Sequence, residues 1–198
     1  MAVLLLGGGA AFGEDECWVN DSIVIDVTGT GFHQAEFGVN PAGTDCFDNL
    51  LDGLVPPPPP GGVATAIYFQ LHPACGVITQ VVRDIREDAG CADTRQWELH
   101  IEDTGAAIQV DLQWPAAPID PVPACLDHLW LRQWPTDFDG GAGRWVVDTS
   151  GAPLGEVDML ATNTYSYAKG GFFDHSGFTI TLECSVPQAP PAALDDRP

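Results

Sequence analysis

The feature that most constrains this chain is one-for-one alternation of apolar and polar residues, repeated in nine short stretches. They lie at 22–27, 65–71, 97–101, 107–114, 128–132, 144–148, 156–160, 164–168 and 178–183. Successive side chains of a strand point to opposite faces, so each stretch buries one face and leaves the other polar. Gly, Pro, Asn and Asp separate the stretches and supply the turns. This pattern predicts an all-β domain over 14–185, a single β-sandwich of Ig-like or jelly-roll-like character, or an open barrel. Helical periodicity has one candidate, 77–87, whose β-branched residues suit a strand equally well.

Composition narrows the class. With 45% hydrophobic residues the chain can build a core despite a formal net charge of -21. Nucleic acid is excluded as a partner, because phosphate neutralisation needs clustered cations, and here one lysine, Lys169, and six scattered arginines face 28 acids. Asp outnumbers Glu 20 to 8, which places the acids mainly in turns, since the short side chain bonds its own backbone. Six cysteines, Cys17, Cys46, Cys75, Cys91, Cys125 and Cys184, are spread along the chain with no CxxC pair. That spacing speaks against structural zinc and for up to three disulfides in an oxidising compartment. Many pairings are possible; those favoured are Cys17 with Cys184 or Cys46, and Cys75 with Cys91.

The run from Ala2 to Phe12 is too short to span a bilayer, which takes about 20 apolar residues. Segment 1–13 reads as a signal remnant without its basic leader, or as a donor strand in which Val3, Leu4, Leu5 and Leu6 enter a neighbouring subunit. Residues 56–60 are five consecutive prolines, a stiff extended strap or a docking motif for aromatic grooves. The end, 186–198, is a proline-rich tail.

The residues also bear on chemistry. Asp45, Asp48 and Asp52 beside Gly43 and Gly53 offer the carboxylates that calcium prefers, or a turn in which Asp45 caps backbone N–H groups and Phe47 plugs the core. Asp137 and Asp139 form a second, DxDG-like acidic loop. Calcium is therefore the one candidate cofactor. Trp97, Trp130 and Trp145 fall in alternating stretches and are expected in the core. Trp114 and Trp134, each before a proline, are the candidates for an exposed ligand or subunit surface. His33, His72, His100, His128 and His175 never approach one another along the chain, and His100 and His128 are expected to face outward or bond locally. No GxSxG, HExxH or P-loop pattern is present, so catalysis is not expected.

The stretch from Phe37 to Phe69 places Phe37, Gly38 and Val39 before Thr44, Asp45, Phe47, Asp48 and Asp52, then a proline run and the aromatic pair Tyr68 and Phe69. Downstream, Val157, Asp158 and Met159 lead into Thr164, Tyr165, Ser166 and Tyr167. Together these resemble a recurrent β-sandwich module of large secreted bacterial surface proteins, over most of 18–184. The match departs at Cys46, where glycine is usual. The resemblance implies an all-β extracellular module with no catalytic residues. The expectation is a non-enzymatic structural module at the cell surface or outside the cell, self-associating head to tail as a filament subunit or joining other surface proteins, without a membrane span. The competing expectation is a carbohydrate- or calcium-binding module.

Overall fold

The computed structural model describes residues 21–28, 33–56, 65–87, 95–103, 109–123, 125–170 and 174–184. Segment 1–13, the tail 186–198, Cys17, Cys91 and most of the proline run lie outside the described residues.

Thirteen strands carry the described chain: β1 Asp21–Val27, β2 Gln34–Val39, β3 Gly53–Leu54, β4 Thr65–Gln70, β5 Gln80–Arg86, β6 Gln96–Asp103 and β7 Gln109–Gln113. They are followed by β8 Leu126–Trp134, β9 Thr136–Asp139, β10 Arg144–Val147, β11 Gly155–Asp158, β12 Thr164–Ala168 and β13 Asp174–Cys184. A single 3-10 turn, Pro73–Cys75, follows β4, with the His72 ring accepting from Ala74 N–H. Among the described residues no helix is long and apolar enough to cross a membrane. The ambiguous stretch 77–87 resolves as strand β5.

Eleven strands form one sheet in the order β11-β8-β13-β6-β4-β5-β2-β1-β7-β12, with β3 on β5, while β9 and β10 form a separate hairpin. All pairings are antiparallel except β2 with β5. The two ends of the order, β11 and β12, are consecutive in the chain, which brings the sheet round on itself. The Tyr165 hydroxyl on β12 donates to Gln133 Oε1 on β8 at 2.9 Å. Trp114 Nε1 donates to the carbonyls of Met159 and Thr162 in the connection between them. The result is an all-β sandwich that is nearly closed.

Alternation dictates what fills it. Ile23 and Ile25 of β1, Ile67 and Phe69 of β4, and Trp97 and Leu99 of β6 are essentially inaccessible. Each such side chain contributes about 1.5–3 kcal/mol by leaving water. Phe37 of β2 sits at the centre, with ring centroids 5.2 Å from Trp97 and 6.1 Å from Phe69. β13 is buried on both faces from Ser176 to Leu182, because it lies between β8 and β6 and the β9–β10 hairpin packs on its outer side.

One disulfide joins Cys46 to Cys75, with Cα atoms 5.0 Å apart. This corrects the favoured pairings of Cys75 with Cys91 and of Cys17 with Cys46. Bridges follow which loops share one end of the sandwich rather than spacing along the chain, and the turn after β2 meets the 3-10 turn after β4. Cys125 is also disulfide-bonded.

Candidate functional site

On the outer face of the β4–β6–β13 wall, alternation places Tyr68 on β4, Glu98, His100 and Glu102 on β6, and His175 on β13. Register makes them neighbours: Tyr68 is opposite His100, and His175 is opposite Glu102. His100 is fully buried. Its Nε2 lies 2.7 Å from Glu98 Oε1 and its Nδ1 3.2 Å from His175 Nε2. The Tyr68 ring stacks on His100 at 5.4 Å between centroids, and its hydroxyl donates to Glu102 at 2.9 Å.

The proton arrangement follows from the partners. With Glu98 Oε1 accepting from His100 Nε2–H, His100 Nδ1 accepts from His175 Nε2–H. His175 Nδ1 is then a buried acceptor without a hydrogen-bond partner. Burial, and next the neighbouring His100 ring, push His175 down to about 3, so it is neutral over the ordinary pH range. Burial and the neighbouring Glu102 drive the Tyr68 phenol upward.

The hairpin β9–β10 covers this cluster. Trp145 stacks on His175 with centroids 4.1 Å apart and planes 10° apart, and Phe138 meets Trp145 edge-on at 5.3 Å. Close approach is possible because position 177 is glycine. A Cβ there would stand 2.6 Å from Thr136 Cγ2 and 2.7 Å from Val147 Cγ2. Trp134 Nε1 donates to Thr179 Oγ1 at 2.8 Å, so the nearest hydroxyl in register is already engaged. The arrangement lines up two hydrogen bonds, from His175 to His100 and from His100 to Glu98, and it clamps the hairpin to the sheet.

No family model, curated protein or solved structure matches this chain.

The predicted site residues are dispersed. Asp45 pairs with Arg95 at 2.6 Å. Asp48 Oδ1 accepts from Leu50 N–H. Asp52 is buried, its two oxygens accepting from Ile85 N–H at 2.8 Å and Asp48 N–H at 2.7 Å. Burial raises its acidity constant's pKa above the usual carboxylate value. The capping acids of this turn are thus Asp48 and Asp52 rather than Asp45, while Phe47 does pack against the core. Asp137 accepts from Phe138 N–H, and Asp139 from Gly141 and Ala142 N–H. The acidic loop 137–140 is in fact strand β9 and its turn. Among the described residues no three His, Cys, Asp or Glu side chains are grouped to hold a metal.

The tryptophans need correction. Trp114, expected at a surface, is 4% exposed, because its indole N–H closes the β11–β12 connection. Trp134 is half-buried against Thr179. Trp97 is core, but Trp130 and Trp145 are half-buried on the outer face. Trp130 lies between His128, at 4.9 Å, and the Arg132 guanidinium, at 5.1 Å. His128 is exposed and bonds Asp158 at 2.8 Å, and His100, although covered, bonds Glu98 two residues away, both as expected. The signal for that cluster was the Glu98-x-His100-x-Glu102 alternation, three titratable groups on one strand face. Chain distance hid its second half, His175.

Proposed function

We propose that this chain is a non-enzymatic extracellular structural module and the repeating subunit of a self-assembling surface fibre. The observation that carries the reading is the Cys46–Cys75 disulfide, with Cys125 likewise bonded. Disulfides persist outside the reducing cytosol, and here one ties the acidic turn after β2 to the turn after β4. A surface with a formal charge of -21 supports solubility outside the cell. The interlocked outer-face cluster suits a rigid wall better than a reaction site, since all of its ring nitrogens except His175 Nδ1 are spent on one another or on Glu98. Assembly runs through strand addition: Val3 to Leu6 of one copy join a neighbour, a head-to-tail contact that does not close. Other surface proteins are the remaining class of partner.

The test compares the full chain with one lacking residues 1–13 by fractionation, thiol counting and electron microscopy. Extracellular material without free thiols, forming filaments only when 1–13 is present, is the expected result. Filaments that persist without 1–13 contradict the donor strand, and free thiols throughout contradict the compartment. A carbohydrate- or calcium-binding module would instead remain monomeric, with tryptophan fluorescence responding to ligand.

A further inference from the structure

The only lysine in the chain is buried. Lys169, just after β12, has 2% of its side chain exposed, and its Nζ lies 3.0 Å from Oδ2 of Asp103, itself 5% exposed. A lysine kept for solubility belongs in water, and burying its charge is costly even when paired. The surroundings are polar in a specific way. Asp103 ends β6, and its direct neighbours in register are Thr65 on β4 and Asp174 on β13. Thr65 Oγ1 donates to Asp103 Oδ1 at 3.2 Å, and Ser176 Oγ donates to Asp174 Oδ2 at 3.2 Å. Facing residues of an antiparallel pair have Cβ atoms about 4.5–5.5 Å apart, so Asp174 stands beside the Asp103 carboxyl. Asp174 Oδ1 also lies against Gly170, the residue after Lys169. The amine, the carboxyl it touches and a second carboxyl thus share one end of the core, with Tyr167 buried alongside.

We propose that Lys169 and Asp103 form an intramolecular isopeptide bond, with Asp174 as the proton-transfer group. For the bond to form, one proton passes from the ammonium to the carboxylate, giving an amine with a free lone pair beside a carboxylic acid. The Nζ lone pair then adds to Cγ of Asp103, forming the C–N bond. Asp174 takes a proton from the attacking nitrogen and returns it to the departing oxygen. The C–O bond breaks and one water leaves. Ammonium plus carboxylate becomes amide plus water, with no oxidant or other reactant. The cross-link joins β12 to β6, strands that are not hydrogen-bonded neighbours in the sheet, and does not depend on the fibre reading.

Intact mass spectrometry of the folded full chain, with thiols reduced, should find it lighter than its sequence by one water molecule. Tandem spectra should show a branched peptide joining Lys169 to Asp103. A lysine-specific protease offers a second reading, because the denatured native chain should resist it, whereas a free Lys169 would be cut. Lys169→Arg and Asp103→Ala should each restore the full mass. Asp174→Ala, folded by circular dichroism, should leave Lys169 cleavable. A folded native chain of full mass that is cut at Lys169 overturns the proposal and leaves an ion pair only. A bond that forms unchanged in Asp174→Ala overturns the role of Asp174.

Discussion

At the scale of single residues, two histidines titrate in opposite directions for reasons visible in their contacts. His175 is faced by Tyr68 from β4, by His100 and Glu102 from β6, and by Trp145 from the hairpin. Burial and His100 hold it down to about 3, so the folded chain refuses a proton that the unfolded chain accepts below the ordinary value of 6.5. Stability tied to His175 is therefore complete above pH 6.5 and falls as the pH drops toward 3. Exposed His128 is raised by its hydrogen bond to Asp158; its smaller contribution holds below 6.5 and is lost as pH rises through the raised value. Imidazole NMR should show His128 titrating above 6.5 while His175 remains neutral at pH 5. A His175 midpoint near 6.5 would mean that the cluster is open to water. The sequence announced half of this site. Glu98, His100 and Glu102 declare a titratable strand face, but the partner histidine is brought in by a pairing between strands 75 residues apart, which local pattern does not encode.

At the scale of elements, the hairpin β9–β10 depends on one missing methyl group. Gly177 lies directly between His100 of β6 and Trp134 of β8 in register, and the hairpin side chains occupy the space that a Cβ would fill. Gly177→Ala should cost about 1–3 kcal/mol in denaturant melts, as overpacking does, and should red-shift Trp145 emission as its stack on His175 loosens. An unchanged melt would mean that the hairpin contributes no packing there. Strand existence was readable wherever alternation ran five residues or more, as in β1, β4, β6 and β12. The missed strands have physical excuses. β9 is four residues rich in Asp and lies on an exposed hairpin. β3 is two residues long. β2 carries Gly38 and is held by a parallel partner from far along the chain. The conspicuous turn that follows β2 is explained by geometry: a Cβ on Gly43 would meet the Arg86 carbonyl carbon at 2.5 Å, and buried Asp52 latches the turn to β5.

At the scale of the whole molecule, long-range pairing sets both stability and the order in which the sheet can close. The Cys46–Cys75 bridge closes a loop with a sequence separation of 29. Replacing both cysteines with serine should cost about 3 kcal/mol in unfolding free energy, through the freedom regained by the unfolded chain. Equal midpoints for the oxidised and double-serine proteins in urea would show that the fold is indifferent to the tie. The last strand described, β13, occupies an interior place in the sheet, flanked by β8 and β6. While the chain is emerging from a ribosome, those two flanking strands have bare hydrogen-bonding edges until β13 is made. The sheet thus has to wait for β13 before it can shut, and through that interval its most adhesive edges stay available to any neighbouring chain.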